Sequence, residues 1–339
     1  MSTGVGKLPK LCDATEVCAK CGAMAAKFKC SRCLRVCYCT KQCQEKHWQL
    51  HKKICKTPAQ QEAGAGQQED RNIDLFNASL DGDLPTVTAM IAEGADVNFA
   101  APETRATPLL VASQKGHISV VNALIAARAV VDRVNVEGYT ALMYSAYAGH
   151  EAIVSALHRV AGASIHHVNN RGRNALYMAA QNGHVGVVRY LLRAGANPNV
   201  VSTDGHGTSP LTIASQNGHL AVVQALIEAG ANVSHSGPCG TTSLILAAQG
   251  GHIEVVRALL LATDVDVNYS RPDGVTSLIL AAQHGHIEVV RALLAANADP
   301  RIVPHNGGTA LLTAKRMNHP AIVALLEARL AELAAAAPA

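Results

Sequence analysis

The chain has 339 residues and a formal net charge of +4 at pH 7, and its composition is 49% hydrophobic but only 3% aromatic. This length suffices for two or three ordinary domains, and the scarcity of aromatic residues favours many small, closely packed helices over one large mixed core. No run approaches the roughly 18 apolar residues of a membrane span, and residues 1–12 contain no apolar stretch typical of a secretory signal. We therefore expect an intracellular protein, in the cytoplasm, the nucleus or both, with no membrane association.

Cysteine and positive charge are both concentrated at the N-terminal end. Nine of the ten cysteines lie between Cys12 and Cys55. In a reducing compartment such a cluster more often binds metal than forms disulfides. Residues 1–56 carry twelve Lys and Arg against three Asp and Glu, whereas the remainder carries 17 against 22. A basic metal-binding segment therefore precedes a mildly acidic remainder.

Eight potential zinc ligands follow one another in four closely spaced pairs. Two tetrahedral zinc ions need eight ligands, and a Cys-x2-Cys step lets neighbouring thiolates face one ion. A segment this short has almost no other core, so bound metal would supply its stability. The pairs are Cys18 and Cys21, Cys30 and Cys33, Cys39 and Cys43, and His51 and Cys55.

The order of these ligands, with Val36-Cys37-Tyr38-Cys39 and His47-Trp48 among them, resembles a MYND-type zinc finger over residues 18–55. The spacing alone also permits consecutive pairs to share an ion, but in this family the pairs interleave. The resemblance implies one zinc held by Cys18, Cys21, Cys39 and Cys43, and a second held by Cys30, Cys33, His51 and Cys55. Four protein ligands close each site, so both ions are expected to be structural.

From Ile73 onward the sequence repeats itself. A Gly-His pair recurs every 33 to 35 residues, and a period near 33 is typical of ankyrin repeats. The copies are Gly116-His117, Gly149-His150, Gly183-His184, Gly218-His219, Gly251-His252, Gly285-His286 and, with Asn in place of Gly, Asn318-His319. Residues 242–262 and 276–296 differ at only two positions.

Each copy predicts a pair of short helices. Thr or Ser begins the first helix, where its side chain can cap free backbone N–H groups, and the Gly before His suits a left-handed cap at the end. A second helix follows, with one apolar face. For the repeated His we expect a hydrogen-bonding role at the helix junction.

These residues resemble ankyrin repeats, about eight in number. The resemblance implies a mostly α fold, an ankyrin-repeat α-solenoid preceded by the small two-zinc finger. We place the boundaries as an N-terminal lead at 1–17, the finger at 18–55, a flexible linker at 56–72, the repeats at 73–329 and an Ala-rich tail at 330–339. The linker is inferred from its lack of Val, Leu, Ile and aromatic residues.

Two kinds of side chain are candidates for partner binding on the repeats. A Gln recurs two residues before the Gly of several Gly-His pairs. A row of Gln on the concave side would hydrogen-bond an extended partner, although ordinary polar cover is the simpler explanation. Tyr is favoured at interface hot spots. The candidates are Gln114, Tyr139, Tyr147, Gln181, Gln216, Gln249 and Gln283.

No hydrolase, kinase or phosphate-loop motif occurs in the sequence. We therefore expect a non-enzymatic, zinc-binding adaptor, monomeric, that holds one protein along the concave face of the repeats. MYND-type fingers resemble modules that bind short Pro-containing peptides, which implies a second protein partner at the finger.

Two alternatives remain open. RING domains also interleave their zinc ligands, so a ubiquitin-ligase-like role is one alternative. In RING domains, however, the histidine usually lies in the middle of the ligand order, whereas His51 is the seventh of eight. The second alternative is a regulator that binds nucleic acid through the basic finger, whose Lys and Arg side chains could contact phosphates. It contains no recognition helix of the C2H2 type, so nucleic acid is not the expected partner.

Overall fold

The computed structural model describes residues 65–335 and two short strands nearer the N-terminus, β1 (Phe28–Lys29) and β2 (Cys37–Tyr38). The strands pair antiparallel, with Phe28 opposite Tyr38 and Lys29 opposite Cys37. The eight predicted zinc ligands, the lead at 1–17 and the first part of the predicted linker lie outside the described residues. The chain divides into two units, Met1–Asp70 and Arg71–Ala339.

Within residues 65–335, sixteen α-helices form eight successive pairs, and two or three residues join the helices of each pair. The pairs are α1 (Ala65–Asp81) and α2 (Leu84–Ala92), α3 (Pro108–Lys115) and α4 (Ile118–Ala126), α5 (Ala141–Ala148) and α6 (Glu151–Ser155), α7 (Ala175–Gln181) and α8 (Val185–Arg193), α9 (Pro210–Gln216) and α10 (Leu220–Glu228), α11 (Ser243–Gly250) and α12 (Ile253–Leu260), α13 (Ser277–His284) and α14 (Ile287–Ala295), and α15 (Ala310–Arg316) and α16 (Pro320–Ala335). The predicted helical repeat architecture is confirmed.

The pairs stack in chain order. First helices pack on first helices from α3 to α15, and second helices pack on second helices from α2 to α16. One continuous core results, reaching from Leu75 in the first pair to Leu326 in the last. Burying one Val or Leu side chain in it stabilises the fold by about 1.5–3 kcal/mol.

Side-chain caps begin the first helices as the sequence predicts. In every pair from the second to the eighth, the side chain of the capping residue accepts a hydrogen bond from the backbone N–H three residues on. The caps are Thr107, Thr140, Asn174, Ser209, Thr242, Thr276 and Thr309. Asn174 takes the place of Thr or Ser in the fourth pair, since its side-chain oxygen accepts equally well.

The helical region extends beyond the predicted repeats at both ends. Helix α1 begins at Ala65, so residues 65–72 of the predicted linker are helical. This run has no Val, Leu, Ile or aromatic residue, but its Gln, Glu and Arg residues favour helix. The helix then continues to the buried Leu75. Arg71 also donates from Nη1 to the carbonyl oxygen of Glu93, at 2.8 Å.

At the C-terminal end, helix α16 continues to Ala335, so most of the predicted tail is helical as well. Alanine is the strongest helix former, which explains why the Ala-rich sequence extends the helix. Arg329 on this helix donates to Asn297 at 3.3 Å and pairs with Glu332 at 2.9 Å.

The second helix of the third pair contains a π-helical turn, Ala156–Val160, directly after α6. From His150 to the positive-φ Gly162 this pair has one residue more than the fourth pair has from His184 to Gly195. The wider turn absorbs the extra residue and keeps Leu157 buried.

Candidate interaction site on the repeats

A histidine joins each pair to the one before it. In seven successive junctions, Nε2 of the repeated His lies 2.9–3.3 Å from a carbonyl oxygen of the preceding pair. The contacts are His117 to Leu80, His150 to Gln114, His184 to Tyr147, His219 to Gln181, His252 to Gln216, His286 to Gln249, and His319 to Gln283. A carbonyl oxygen only accepts, so Nε2 carries the proton in each. The predicted junction role of these histidines is confirmed.

Glycine is required where the histidine ring arrives. Gly218 has a φ of +75°, and a Cβ built on it would lie 2.6 Å from Nδ1 of His252 in the next pair. The same close approach recurs along the stack, for example between Gly82 and His117. A side chain there would be strained and would also displace the ring.

The carbonyl groups that receive these histidines belong largely to the predicted partner-binding residues. Their side chains therefore stand in one row, one per pair, near the C-terminal ends of the first helices. We call Gln114, Tyr147, Gln181, Gln216, Gln249 and Gln283 the first-helix row. Since packed helices lie about 8–10 Å apart, neighbouring members of the row have about that separation.

The side chains of the first-helix row are accessible and uncharged. Tyr147 is 48% exposed, Gln114, Gln216 and Gln249 are exposed, and Gln181 and Gln283 are half-buried. The five Gln amides have no hydrogen-bond partner within the part of the chain that the structure describes. Each amide offers one acceptor and two donor hydrogens, the complement of a peptide backbone.

The residues that follow the row include no Lys, Arg, Asp or Glu in its central part. From the third to the seventh pair they are Ala148, Asn182, Asn217, Gly250 and His284. Asn182 donates from Nδ2 to the carbonyl oxygen of Tyr147 at 2.9 Å, and Asn217 does the same to Gln181 at 2.8 Å. Charged residues lie at the ends of the surface, with Asp81 in the first pair, Lys115 in the second and Arg316 in the eighth.

Tyr139 does not join this row. It precedes the capping Thr140, is half-buried, and stacks on Tyr144 with ring centroids 5.1 Å apart and planes 25° apart. The hydroxyl of Tyr144 in turn accepts a hydrogen bond from Asn135 at 2.9 Å. The ring of Tyr139 therefore packs within the repeats and presents only part of its surface.

A second polar cluster links the fourth and fifth pairs, and the sequence did not predict it. Arg173 forms an ion pair with Asp204 and lies over the ring of Tyr177, its Cζ 4.9 Å from the centroid. The Tyr177 hydroxyl is 2.8 Å from Oγ1 of Thr208. Tyr177 occupies the position of the His in the ankyrin Thr-Pro-Leu-His pattern, and its hydroxyl links the fourth pair to the fifth. The sequence signal for this cluster is the longer connection before Ser209, which makes the interval from Gly183 to Gly218 35 residues.

Two pKa shifts reflect this cluster. Burial, the largest effect, would raise the pKa of the Asp204 carboxyl, but hydrogen bonds from Ser202, Arg173 and the His206 backbone and the charge of Arg173 together outweigh it and lower the pKa below its ordinary value. Burial raises the pKa of the Tyr177 hydroxyl. The carboxylate is therefore ionised and the phenol neutral at physiological pH, as the observed bonds require.

No helix in the described parts of the chain is both long and apolar enough to cross a membrane.

Comparison with protein families agrees with this architecture. A model described as ankyrin repeats matches in three copies, over residues 75–165, 154–237 and 229–303, which is more than half of the chain. A model described as MYND finger matches residues 18–55. The seven cysteines and one histidine predicted as ligands there are the nitrogen and sulfur donors that tetrahedral zinc prefers, so the finger is a zinc-binding module. Both kinds of domain mediate protein–protein interactions. The chain belongs to the ankyrin-repeat family and carries a MYND zinc finger ahead of its repeats.

Proposed function

We propose that this protein is a non-enzymatic adaptor, which holds one protein along the first-helix row and recruits a second through the zinc finger. The observation that carries the proposal is the uncharged, amide-rich surface that continues across five successive pairs. A rigid array of this kind suits recognition of an extended segment, because each pair presents the same groups at a regular spacing.

The expected occupant of the first-helix row is an extended, largely uncharged segment of a partner protein. Amide side chains hydrogen-bond a peptide backbone without demanding a particular charge. Tyr147, 48% exposed among the amides, adds an aromatic anchor of the kind that dominates binding energy. Tyr139, half-buried beside Tyr144, would contribute only its accessible edge.

For the finger we propose two structural zinc ions in the interleaved arrangement, with Cys18, Cys21, Cys39 and Cys43 on one and Cys30, Cys33, His51 and Cys55 on the other. Each ion then has four protein ligands and no open position, which supports binding and not catalysis. The partner proposed for the finger is a Pro-containing peptide.

Two binding modules on one chain raise the effective concentration of their partners for each other, toward the millimolar range for short connections. This is what an adaptor contributes. We further propose that the protein is monomeric and acts inside the cell, in the cytoplasm, the nucleus or both.

The proposal is tested with tagged full-length protein and quantitative mass spectrometry of captured partners. Gln216→Ala with Gln249→Ala should remove one set of partners, and Cys30→Ser with Cys33→Ser should remove a different set. Gln224→Ala, an exposed Gln on the second helix α10, is the matched control and should change neither. If both variants retained every partner, the adaptor proposal would fail.

A further inference from the structure

The second helices of the second, third and fourth pairs carry a group of arginines at or near their C-terminal ends. Arg128 follows α4, Arg159 lies in the π-helical turn after α6, Arg193 ends α8, and Arg189 lies one turn earlier on α8. All four are exposed. We call them the outer arginine group. The three helices pack in succession, about 8–10 Å apart.

No carboxylate forms an ion pair with this group in the described residues. Within residues 65–335, none of the four guanidinium groups forms an ion pair, whereas arginines on later second helices do. Arg257 pairs with Glu254 at 3.0 Å and Arg291 with Glu288 at 3.6 Å. The outer arginine group is therefore an unpaired positive surface, and the part of it on α8 borders a groove.

The groove is a shallow, open depression between α8 and α10, with a volume of about 430 Å³. Its lining is Arg189, Leu192, Arg193, Ala225, Glu228 and Ala229. The apolar part of this lining comes from Leu192 and the two alanines. Arg189 and Arg193 on the α8 side face Glu228 on α10, so the charge of the groove differs between its two walls.

We propose that the outer arginine group and this groove bind an acidic, extended segment of a partner protein, with one aliphatic side chain of that segment in the groove. An extended chain in the polyproline II conformation rises about 3.1 Å per residue with three residues per turn, so acidic residues three apart share one face and lie about 9 Å apart. That matches the spacing of neighbouring second helices, and arginine binds carboxylates through paired hydrogen bonds. This surface lies on second helices and is separate from the first-helix row.

The lining favours an acidic peptide over a nucleic acid. Single-stranded nucleic acids need aromatic rings on which bases stack. Tyr190, the aromatic residue of α8, is half-buried and its hydroxyl is 3.0 Å from Nδ1 of His158, while α10 has no aromatic residue.

The test measures binding of a fluorescein-labelled peptide of about twelve residues, with Glu at every third position and one central Leu, to the full-length protein by fluorescence anisotropy. Arg189→Glu with Arg193→Glu should weaken binding about tenfold or more, and Glu228→Gln should strengthen it about two- to threefold. Arg257→Gln with Arg291→Gln is the matched control and should leave affinity unchanged. Circular dichroism of each variant checks that the repeats stay folded.

Three results would overturn the proposal. The basic finger could be the binding site, in which case Lys52→Glu with Lys53→Glu would abolish binding and the Arg189 and Arg193 substitutions would not affect it. Equal affinity for the same peptide with Gln in place of Glu would show that charge is not recognised. Tighter binding of single-stranded DNA than of the peptide, lost on substitution of Arg189 and Arg193, would assign the surface to nucleic acid.

Discussion

Nε2 of His252 donates a hydrogen bond to the carbonyl oxygen of Gln216, 3.0 Å away, while the same imidazole ring lies over Gly218. One side chain thus satisfies a backbone carbonyl near the end of the preceding helix and fills the space that its glycine leaves open. The contact recurs at every junction from the first pair to the last, which makes it the repeated element that joins the pairs.

Substitution of the glycine in this contact should cost more than substitution of a glycine outside it. Gly218 and Gly230 have φ values of +75° and +79°, so Ala at either costs about 1–2 kcal/mol in backbone strain. Only at Gly218 does the new Cβ meet the His252 ring, which should add about 1–3 kcal/mol through loss of the junction bond. Urea unfolding followed by circular dichroism measures both. Equal destabilisation by Gly218→Ala and Gly230→Ala would contradict the proposed role of the contact.

Arg128→Gly should stabilise the repeats. Arg128 has a φ of +64°, at the position where the next pairs have Gly162 and Gly195 with φ of +72° and +91°. Gly relieves the left-handed strain of Arg128 but loses more conformational entropy on folding. The net gain in the free energy of unfolding should be about 0.5–1 kcal/mol. Arg189→Gly, inside helix α8, is the control and should destabilise by a similar amount, because Gly disfavours helix. A loss of stability in Arg128→Gly, seen as a lower urea midpoint, would rule out strain at this residue.

The hydrogen bonds that Asp204 accepts from Ser202 and Arg173, together with the charge of Arg173, should make the repeats more stable above about pH 4 than below it. The pKa of Asp204 is lower in the folded state than its ordinary value of about 3.9, so its stabilisation is complete above that value and is lost as pH falls through the lower folded-state pKa. Asp204→Asn should remove this part of the acid dependence, measured as unfolding free energy against pH.

A double-mutant cycle with Arg173→Gln and Asp204→Asn tests the same pair at neutral pH. The side chains are only 18% and 15% exposed, so we expect a coupling energy of about 0.5–3 kcal/mol. Single substitutions that simply add would show that the two charges do not interact in the folded protein.

Zinc removal should affect the finger and spare the repeats. Zinc analysis of the purified protein should give about two ions per chain, since two tetrahedral sites use the eight ligands. A strong chelator should then abolish any finger-dependent binding while the helical thermal transition of the repeats stays in place. Cys12→Ser and Cys239→Ser are controls outside the ligand sets and should retain both ions. A content of one ion per chain would contradict the interleaved assignment.

Local features of the repeats were predictable because they depend on neighbours in sequence. The Thr or Ser caps and the Gly-His pairs act within a few residues, and the structure has the predicted bonds at these positions. The start of helix α1 was less predictable, because its first turns lack the apolar spacing that indicates a buried helix. Asn174 was overlooked as a cap because the pattern was defined by Thr and Ser.

Features that depend on contacts between pairs could not be predicted. Whether Tyr139 is accessible depends on its stacking with Tyr144, and the ion pair of Arg173 forms with a residue 31 positions away. The groove beside Arg193 exists only because α8 and α10 lie side by side. The zinc ligands of residues 18–55 could be assigned because their order resembles a known family pattern, and this assignment needed no knowledge of contacts between repeats.

The uniformity of the histidine junction also bears on how such a chain changes during evolution. Because every junction uses the same ring nitrogen, carbonyl oxygen and glycine, a copied repeat meets compatible partners on both sides as soon as it is inserted. The near-identical segments 242–262 and 276–296 have the form that such a copying event leaves. The array can therefore lengthen or shorten by whole repeats without the invention of a new interface, and the length of the surface it offers to partners becomes a heritable variable.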